Sequence, residues 1–128
     1  MSEVKCRILY VDDHEDSSAM LKIVLSEADY EVHIADTVER AIELAQAYEF
    51  DLYVLDKRLP DGSGMDLCRV LNQLTPGVPC IFYTGDAYEI HRQEAMAAGA
   101  HAYIPKPDVE ALIDAVHKLL SEQECATA

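Results

Sequence analysis

Five short apolar runs alternate with segments of helical periodicity along this chain, and this alternation restricts the possible folds more than any other feature of the sequence. The runs are rich in β-branched and aromatic residues and nearly continuous in apolar character, which is typical of strands buried on both faces. Strands separated by helices predict a parallel sheet with helices on both sides. The predicted strands are residues 8–11, 32–35, 52–55, 80–83 and 102–104.

Four segments outside these runs carry apolar residues at the i, i+3, i+4, i+7 spacing of a helix with one buried face. The first helix is predicted over about residues 17–28. A fourth helix, over about residues 87–98, is predicted from its alanine content, with Asp86 as its N-cap; Asp36 is the predicted N-cap of the second helix. The stripes of the second, third and fifth helices are Val38, Ala41, Ile42 and Ala45, then Leu67, Val70, Leu71 and Leu74, then Val109, Leu112, Ile113, Val116 and Leu120.

These elements predict an α/β fold, a three-layer sandwich in which a five-stranded parallel sheet lies between layers formed by five helices. Right-handed crossovers leave two common strand orders, and five strands suit the flavodoxin-like order 2-1-3-4-5 better than the six-stranded dinucleotide-binding order. A length of 128 residues is within the usual size of one domain. We predict one domain over residues 1–128, with a folded core over about residues 5–121 and a tail or linker start over residues 122–128.

The chain carries a formal net charge of −14, from 24 acidic and 10 basic residues. Nucleic-acid phosphates and anionic membrane surfaces repel a charge of this sign, so direct binding to either is not expected. No apolar run approaches the ~20 residues that a membrane span needs. The four cysteines form no C-x-x-C pair, and reduced thiols are expected at Cys6, Cys68 and Cys80, which lie in apolar segments. A cytoplasmic location is therefore predicted.

Polar residues follow four of the predicted strands at the point where each strand ends. They are Asp12 and Asp13 after the first strand, Asp56 after the third, Thr84 after the fourth and Lys106 after the fifth. In a sheet of this order the carboxyl ends of strands 1 and 3 border the functional crevice. Any one of these residues alone could be a helix cap or an ordinary surface residue. Together they predict three carboxylates, a hydroxyl and an ammonium in one crevice.

Adjacent carboxylates repel each other unless a cation lies beside them, so Asp12 and Asp13 indicate a cation site. Oxygen ligands with room for water favour Mg²⁺ over zinc. Asp56 ends an apolar central strand, where a carboxylate needs a cation or a function. Beside Mg²⁺ it can attack phosphorus and form an aspartyl phosphate, whose oxygens Lys106 and Thr84 can stabilise.

Four segments resemble, in order, the motifs of response regulator receiver domains of two-component systems. They are residues 8–13 (ILYVDD), 54–64 (VLDKRLPDGSG), 82–85 (FYTG) and 102–107 (AYIPKP). The resemblance implies that a histidine kinase or a histidine phosphotransfer protein phosphorylates Asp56. The Mg²⁺ ligands that it implies are Asp12, Asp13, Asp56 and the backbone carbonyl of Arg58. No enzymatic activity is expected beyond phosphorylation of the chain from a donor and hydrolysis of its own aspartyl phosphate.

The same resemblance implies that phosphorylation draws Thr84 toward the phosphate and lets Tyr103 rotate inward. This movement would reshape the surface of the fourth helix, fifth strand and fifth helix, which an output domain or a downstream protein reads. The positions of Arg58 and Asp86 flank the route of the attacking water in the family. We therefore predict that these two side chains form an ion pair that slows hydrolysis of the aspartyl phosphate.

Two prolines flank Lys106, and a cis X-Pro bond could provide the turn that directs the ammonium over the crevice. The resemblance implies that the bond before the lysine is the cis one. Ile104–Pro105 is therefore predicted to be cis, and Lys106–Pro107 is predicted to be trans.

Three alternative functions agree less well with the same residues. A phosphatase of the haloacid dehalogenase type would carry D-x-D after its first strand and a cap domain, whereas here Asp12 and Asp13 are adjacent and Asp56 is separate. A flavodoxin would need a hydroxyl-rich phosphate loop in place of residues 12–16 (DDHED). A receiver used only for phosphate-independent docking usually lacks acidic or lysine positions that this chain keeps. The five histidines form no H-x-x-x-H pair, so packing or solvated roles are expected for them.

Overall fold

The computed structural model describes residues 6–85 and 89–121, so the predicted cap Asp86 and the predicted tail over residues 122–128 lie outside the described residues. Each predicted strand and helix is present, with its ends shifted by a few residues at most. The helices are α1 (Glu15–Glu27), α2 (Val38–Ala47), α3 (Gly64–Leu74), α4 (Glu89–Ala97) and α5 (Val109–Ser121). The strands are β1 (Arg7–Val11), β2 (Glu31–Ala35), β3 (Leu52–Leu55), β4 (Arg58–Leu59), β5 (Gly62–Ser63), β6 (Cys80–Thr84) and β7 (Ala102–Pro105).

Five of the strands form one parallel sheet in the order β2-β1-β3-β6-β7. Since β6 and β7 are the fourth and fifth strands of this sheet, its order is the predicted 2-1-3-4-5. The prediction of an α/β sandwich with five helices is also confirmed. The strands β4 and β5 pair antiparallel in a small ribbon just after β3. The sequence did not predict this ribbon, because a strand of two residues is too short to show a periodicity.

The sheet separates two apolar clusters, one on each face. Successive residues of a strand point to opposite faces, so Leu9 and Val11 pack with α2 and α3, while Ile8 and Tyr10 pack with α1 and α5. All four residues of β3, the central strand, are buried. Burial on both faces explains why the strands read as continuous apolar runs in the sequence.

The N-terminus of α2 is capped differently from the prediction. Thr37, and not Asp36, is the N-cap, and its side-chain oxygen accepts a hydrogen bond from an N–H of the first turn. Asp61, in the turn of the β4–β5 ribbon, provides a second cap, because its carboxylate accepts from the N–H groups of Val38 and Glu39 at 2.7 and 3.0 Å. These backbone donors lower the pKa of Asp61. Asp and Thr are both good caps, so the sequence could not choose between the two adjacent positions.

The cis proline lies later in the chain than predicted. Lys106–Pro107 is the cis bond and Ile104–Pro105 is not, so the prediction was wrong for both bonds. Pro105 is the last residue of β7 and pairs with Thr84, after which the Lys106 N–H donates to the Thr84 carbonyl. The chain therefore stays extended through Pro105, and the turn begins only after Lys106.

The cysteines follow the prediction in part. Cys68 and Cys80 are free and buried, as expected of reduced thiols in apolar segments. Cys6 is disulfide-bonded, so the prediction of a reduced thiol was wrong there, and its partner sulfur lies outside the described residues. An apolar setting indicates burial of a sulfur but does not exclude a second sulfur beside it. Across the described ranges, no helix has the length and apolar character needed to cross a membrane.

Candidate functional site

Three of the predicted site residues are fixed by main-chain hydrogen bonds just beyond the ends of the strands. The Asp12 N–H donates to the last carbonyl of β2 at 3.0 Å, and the Asp56 N–H donates to the last carbonyl of β1 at 2.9 Å. The Lys106 N–H donates to the last carbonyl of β6 at 2.8 Å. Each bond continues a parallel ladder by one residue, so the sheet itself determines where these three side chains begin.

The Lys106 ammonium links the ends of β1 and β3. Its Nζ lies 2.6 Å from Oδ2 of Asp12 and 3.2 Å from Oδ2 of Asp56, and it lies 5.9 Å from the centroid of the Tyr83 ring. Partial burial disfavours the charged amine, but hydrogen bonds and charges from both aspartates outweigh this effect and raise the pKa of Lys106. The side chain is therefore a cation at neutral pH.

Asp12 is almost fully enclosed, with 1% of its surface exposed. Burial by itself would raise the pKa of this carboxyl group, but four donor groups surround it. Besides Lys106, the Tyr10 hydroxyl donates to Oδ2 at 2.5 Å, and the main-chain N–H and the ring Nδ1 of His14 lie 2.9 and 2.8 Å from Oδ1. The donors prevail and lower the pKa of Asp12. Burial, together with this contact, raises the pKa of Tyr10, so its hydroxyl keeps its proton and remains a donor.

Asp56 lies in a cleft of about 690 Å³ that opens to solvent. The residue is 5% exposed; its Oδ1 accepts a hydrogen bond from the Lys57 N–H at 2.7 Å, and its Oδ2 faces Lys106. Thr84, at the end of β6, is buried and lines the same cleft. The fold thus brings the carboxylate, the ammonium and the hydroxyl into one crevice, as the order of the strands predicts.

The remaining predicted site residues are exposed around the same cleft, lie in β7 or lie outside the described ranges. Asp13 is exposed and lines the cleft. Arg58 begins the β4–β5 ribbon and is exposed at the rim of the cleft. Tyr103 is half-buried in β7 and stacks on Phe82 of β6, with ring centroids 6.2 Å apart. For Asp86, outside those ranges, no position is described.

The acidic cluster fits a divalent cation. One potential ligand atom from each of Asp12, Asp13, His14 and Asp56 lies within 4.8 Å of the others. The cluster holds three carboxylates, and the Lys106 ammonium contacts two of them, those of Asp12 and Asp56, so carboxylates outnumber ammonium groups at this point. Carboxylate oxygens with access to water are the donors that Mg²⁺ prefers. The donor set present here therefore suits that ion.

Gly64 packs directly against the main chain of the residue that carries the central carboxylate. Its N–H donates to the Lys57 carbonyl at 2.7 Å. A Cβ at this position would lie 1.9 Å from the carbonyl oxygen of Asp56, so no side chain fits without moving the backbone. This close approach depends on the path of the main chain between Asp56 and Gly64, and no residue pattern in the sequence predicts it.

Tyr10 and His14 also contact the cluster, although the sequence did not single them out. Tyr10 belongs to an apolar run, which indicates a core residue, and only its hydroxyl reaches Asp12. His14 was expected to be solvated or to pack elsewhere. Its side chain is 65% exposed, yet its ring contacts the carboxylates of the cluster. The only available signal was its place directly after two acidic residues at a strand end.

Comparison with known proteins gives a single family. The family model described as "Response regulator receiver domain" matches residues 8–117. The non-phosphorylated HemR receiver domain from Leptospira biflexa is 36% identical, with a TM-score of 0.85 over 91% of this chain and 95% of that one. A receiver domain protein described as CheY-like, from Methanospirillum hungatei JF-1, is 35% identical, with a TM-score of 0.88 over 94% and 97%.

A curated relative, response regulator ArlR from Staphylococcus epidermidis, is 30% identical over 117 residues, which cover 91% of this chain and 53% of ArlR. The chain spans about half the length of the curated relatives it matches.

Proposed function

Because the chain belongs to the response regulator receiver family, we propose that Asp56 accepts a phosphoryl group in a Mg²⁺-dependent reaction and that this modification switches partner binding. The observation that best supports the proposal is the buried Asp56 carboxylate, which adjoins an open cleft beside Lys106 at the end of the central strand. Buried carboxylates in excess over cations are costly unless a charged ligand joins them. A phosphoryl group with its cation is such a ligand.

In the proposed reaction an oxygen of the Asp56 carboxylate attacks the phosphorus atom of the donor. A P–O bond forms while the bond from phosphorus to the leaving nitrogen or oxygen breaks, and the leaving group takes the bonding electrons. The Lys106 ammonium, 3.2 Å from Asp56 Oδ2, is placed to neutralise one phosphoryl oxygen. The Thr84 hydroxyl is proposed to donate a hydrogen bond to another. The sheet already holds both main chains, so little reorganisation is needed.

The proposed ligands of Mg²⁺ are Asp12, Asp13, Asp56 and the backbone carbonyl of Arg58. The excess of carboxylate charge in the cluster supports this set. When bound, the ion supplies positive charge to the phosphoryl oxygens. Arg58 would contribute only its main chain, so its side chain stays available at the rim of the cleft.

The phosphoryl donor is proposed to be a histidine kinase or a histidine phosphotransfer protein, as membership of the family implies. An output domain or a downstream protein is proposed to read the phosphorylated state at the surface formed by α4, β7 and α5. We also propose a cytoplasmic location and no enzymatic activity beyond self-phosphorylation and autodephosphorylation. The net charge of −14 argues against direct contact of this domain with nucleic acid or a membrane.

Acetyl phosphate with Mg²⁺ tests the proposal without the unknown kinase. Intact-mass spectrometry should detect the addition of one phosphoryl group, and EDTA in place of Mg²⁺ should prevent it. If the chain stays unmodified while a well-behaved receiver domain is modified in parallel, the proposed phosphorylation is wrong. A phosphate-independent docking module would then be the better account.

Tyr103→Ala should uncouple phosphorylation from the α4–β7–α5 surface without preventing phosphorylation. Tyr103 stacks on the buried Phe82 of β6, the same strand that ends at Thr84, so β6 links this tyrosine to the cleft. Coupling between two sites is typically about 1–3 kcal/mol, which changes an affinity by roughly 5–150-fold. In Tyr103→Ala, the change in partner affinity upon phosphorylation should therefore be smaller by up to this factor. Tyr48→Ala, at an exposed tyrosine beyond α2, is the control.

Two-dimensional NMR of the phosphorylated protein provides the readout for this pair of variants. Chemical-shift changes on α4, β7 and α5 should shrink in Tyr103→Ala and persist in Tyr48→Ala. Equal changes and equal partner affinity in both variants would show that the coupling does not run through Tyr103.

The ion pair between Arg58 and Asp86 stays a prediction, because Asp86 lies outside the described residues. Exposed ion pairs contribute about 0.2–1 kcal/mol. Loss of the pair should therefore accelerate autodephosphorylation by about fivefold at most. A double-mutant cycle of Arg58→Ala and Asp86→Ala measures the coupling, and Asp86→Asn preserves a possible cap. Strictly additive effects, or slower hydrolysis in the single variants, would count against the pair.

A further inference from the structure

The imidazole of His14 lies among the carboxylates that are proposed to hold Mg²⁺. Its Nδ1 is 2.8 Å from Oδ1 of Asp12, 3.4 Å from Oδ1 of Asp13 and 3.6 Å from Oδ2 of Asp56. Three acidic side chains from two strand ends thus face a single ring nitrogen. No other described histidine lies in such a cluster.

These separations match those between neighbouring ligands of one metal ion. Ligands that bind at about 2.1 Å lie about 3.0 Å apart in an octahedron and about 3.4 Å apart in a tetrahedron. The nitrogen-to-oxygen distances of 2.8, 3.4 and 3.6 Å lie close to these values. One ion could therefore contact the nitrogen together with carboxylate oxygens after small side-chain adjustments.

The chemistry of the donors determines which ions gain from such a nitrogen. Carboxylate, carbonyl and water oxygens suit Mg²⁺, Ca²⁺ and Mn²⁺, whereas imidazole suits first-row transition metals, such as Co²⁺, Ni²⁺ and Zn²⁺. Mg²⁺ gains little from replacing a water ligand by imidazole, because it dehydrates reluctantly. An imidazole in this cluster should therefore raise the affinity of the site for transition-metal ions while leaving its affinity for Mg²⁺ nearly unchanged.

We propose that His14 is a nitrogen ligand that extends the carboxylate site to first-row transition-metal ions and raises its affinity for them relative to Mg²⁺. This inference rests on the proposed function, since it uses the same metal site. Its position favours the role. His14 directly precedes α1 as the N-cap residue, and its side chain makes no capping hydrogen bond. Its Nδ1 instead forms a hydrogen bond with Oδ1 of Asp12 at 2.8 Å, and an ion bound between these two atoms would take the place of the proton in that bond. The exposed fraction of 65% leaves room for water to leave and an ion to enter.

Binding of Co²⁺ and Mg²⁺, each added alone, tests the proposal. Isothermal titration calorimetry at about pH 8 gives the Kd for each ion in the unphosphorylated full chain. His14→Ala should lower the affinity for Co²⁺, relative to that for Mg²⁺, by about tenfold or more, since loss of even an indirect metal contact typically costs that much. His14→Phe, which keeps a ring but has no nitrogen, should behave like His14→Ala.

His117→Ala removes an exposed histidine of α5 far from the cluster and is the matched control. The visible d–d absorption of bound Co²⁺ is an independent readout, because the loss of a nitrogen ligand shifts its bands. The spectra should change in both His14 variants and stay the same in His117→Ala. Circular dichroism verifies that each variant is folded.

The possible failures can be told apart. If the wild-type chain binds both ions and the ratio of their Kd values is the same in His14→Ala and His14→Phe, the inference about His14 is wrong and the proposed Mg²⁺ site stands. If the wild-type chain binds neither ion, the proposed metal site fails, and the inference fails with it.

Discussion

Asp56→Asn should abolish phosphorylation of this chain by acetyl phosphate in the presence of Mg²⁺. An amide is a far poorer nucleophile than a carboxylate. The other two carboxylates of the cluster, on Asp12 and Asp13, follow β1, whereas Asp56 follows β3. Asp12 is enclosed by four donor groups and does not line the cleft that contains Asp56. Intact-mass spectrometry should therefore show only the unmodified mass for this variant.

The fold should survive this substitution. Asp56 adds a like charge to Asp12 and Asp13, and Lys106 keeps its shorter contact, 2.6 Å to Asp12, when the charge on Asp56 is removed. The free energy of unfolding should thus be unchanged or higher, because repulsion among the carboxylates decreases. Asp114→Asn, at an exposed position of α5, is the control that should keep full phosphorylation. Undiminished phosphorylation of Asp56→Asn would remove Asp56 from its proposed role.

Gly64→Ala should be the most destabilising single-methyl change near the site. The added Cβ would lie 1.9 Å from the Asp56 carbonyl oxygen, and that oxygen belongs to the main chain, so it cannot rotate away as a side chain would. Forcing atoms into such a contact costs about 3 kcal/mol or more of unfolding free energy. Urea unfolding measures this loss, and phosphorylation from acetyl phosphate should slow because the Asp56 backbone must move.

Gly85→Ala is the matched control for Gly64→Ala. It adds the same methyl group at the rim of the same cleft, where a Cβ would meet nothing within 4 Å. Its unfolding free energy should stay within about 1 kcal/mol of the wild-type value. If both variants lose the same stability, the close contact between Gly64 and Asp56 does not constrain the fold.

The sequence predicted which side chains meet at this edge where the sheet alone determines their position. Asp12, Asp56, Thr84 and Lys106 each end a strand or follow directly after one, so the parallel order was enough to bring them to one edge. No side-chain packing had to be known for this prediction. The same logic explains why the strand order and the two-sided core were predicted correctly.

The features that the sequence did not predict depend on which atoms the folded chain brings together, whether the residues are near or far apart in sequence. Asp61 caps α2 from 22 or 23 residues away, and Gly64 is required only because the Asp56 carbonyl lies against it. The contact of Tyr10 with Asp12 depends on which face of β1 the hydroxyl can reach. Such contacts follow from the packed structure, whereas periodicity reports only which residues are apolar.

The main-chain N–H of Asp56 forms its hydrogen bond with the neighbouring strand β1 and not with the loop that follows Asp56. Its N–H donates to the last carbonyl of β1, and the N–H of Lys106 donates to the last carbonyl of β6. The sheet therefore positions both residues, and the loops follow them in the chain. Loop positions other than Gly64 can then change which molecules reach this edge, and how quickly water does so, without moving the Asp56 backbone. The lifetime of the proposed aspartyl phosphate can therefore be changed through loop residues, while the groups proposed to form it stay in place.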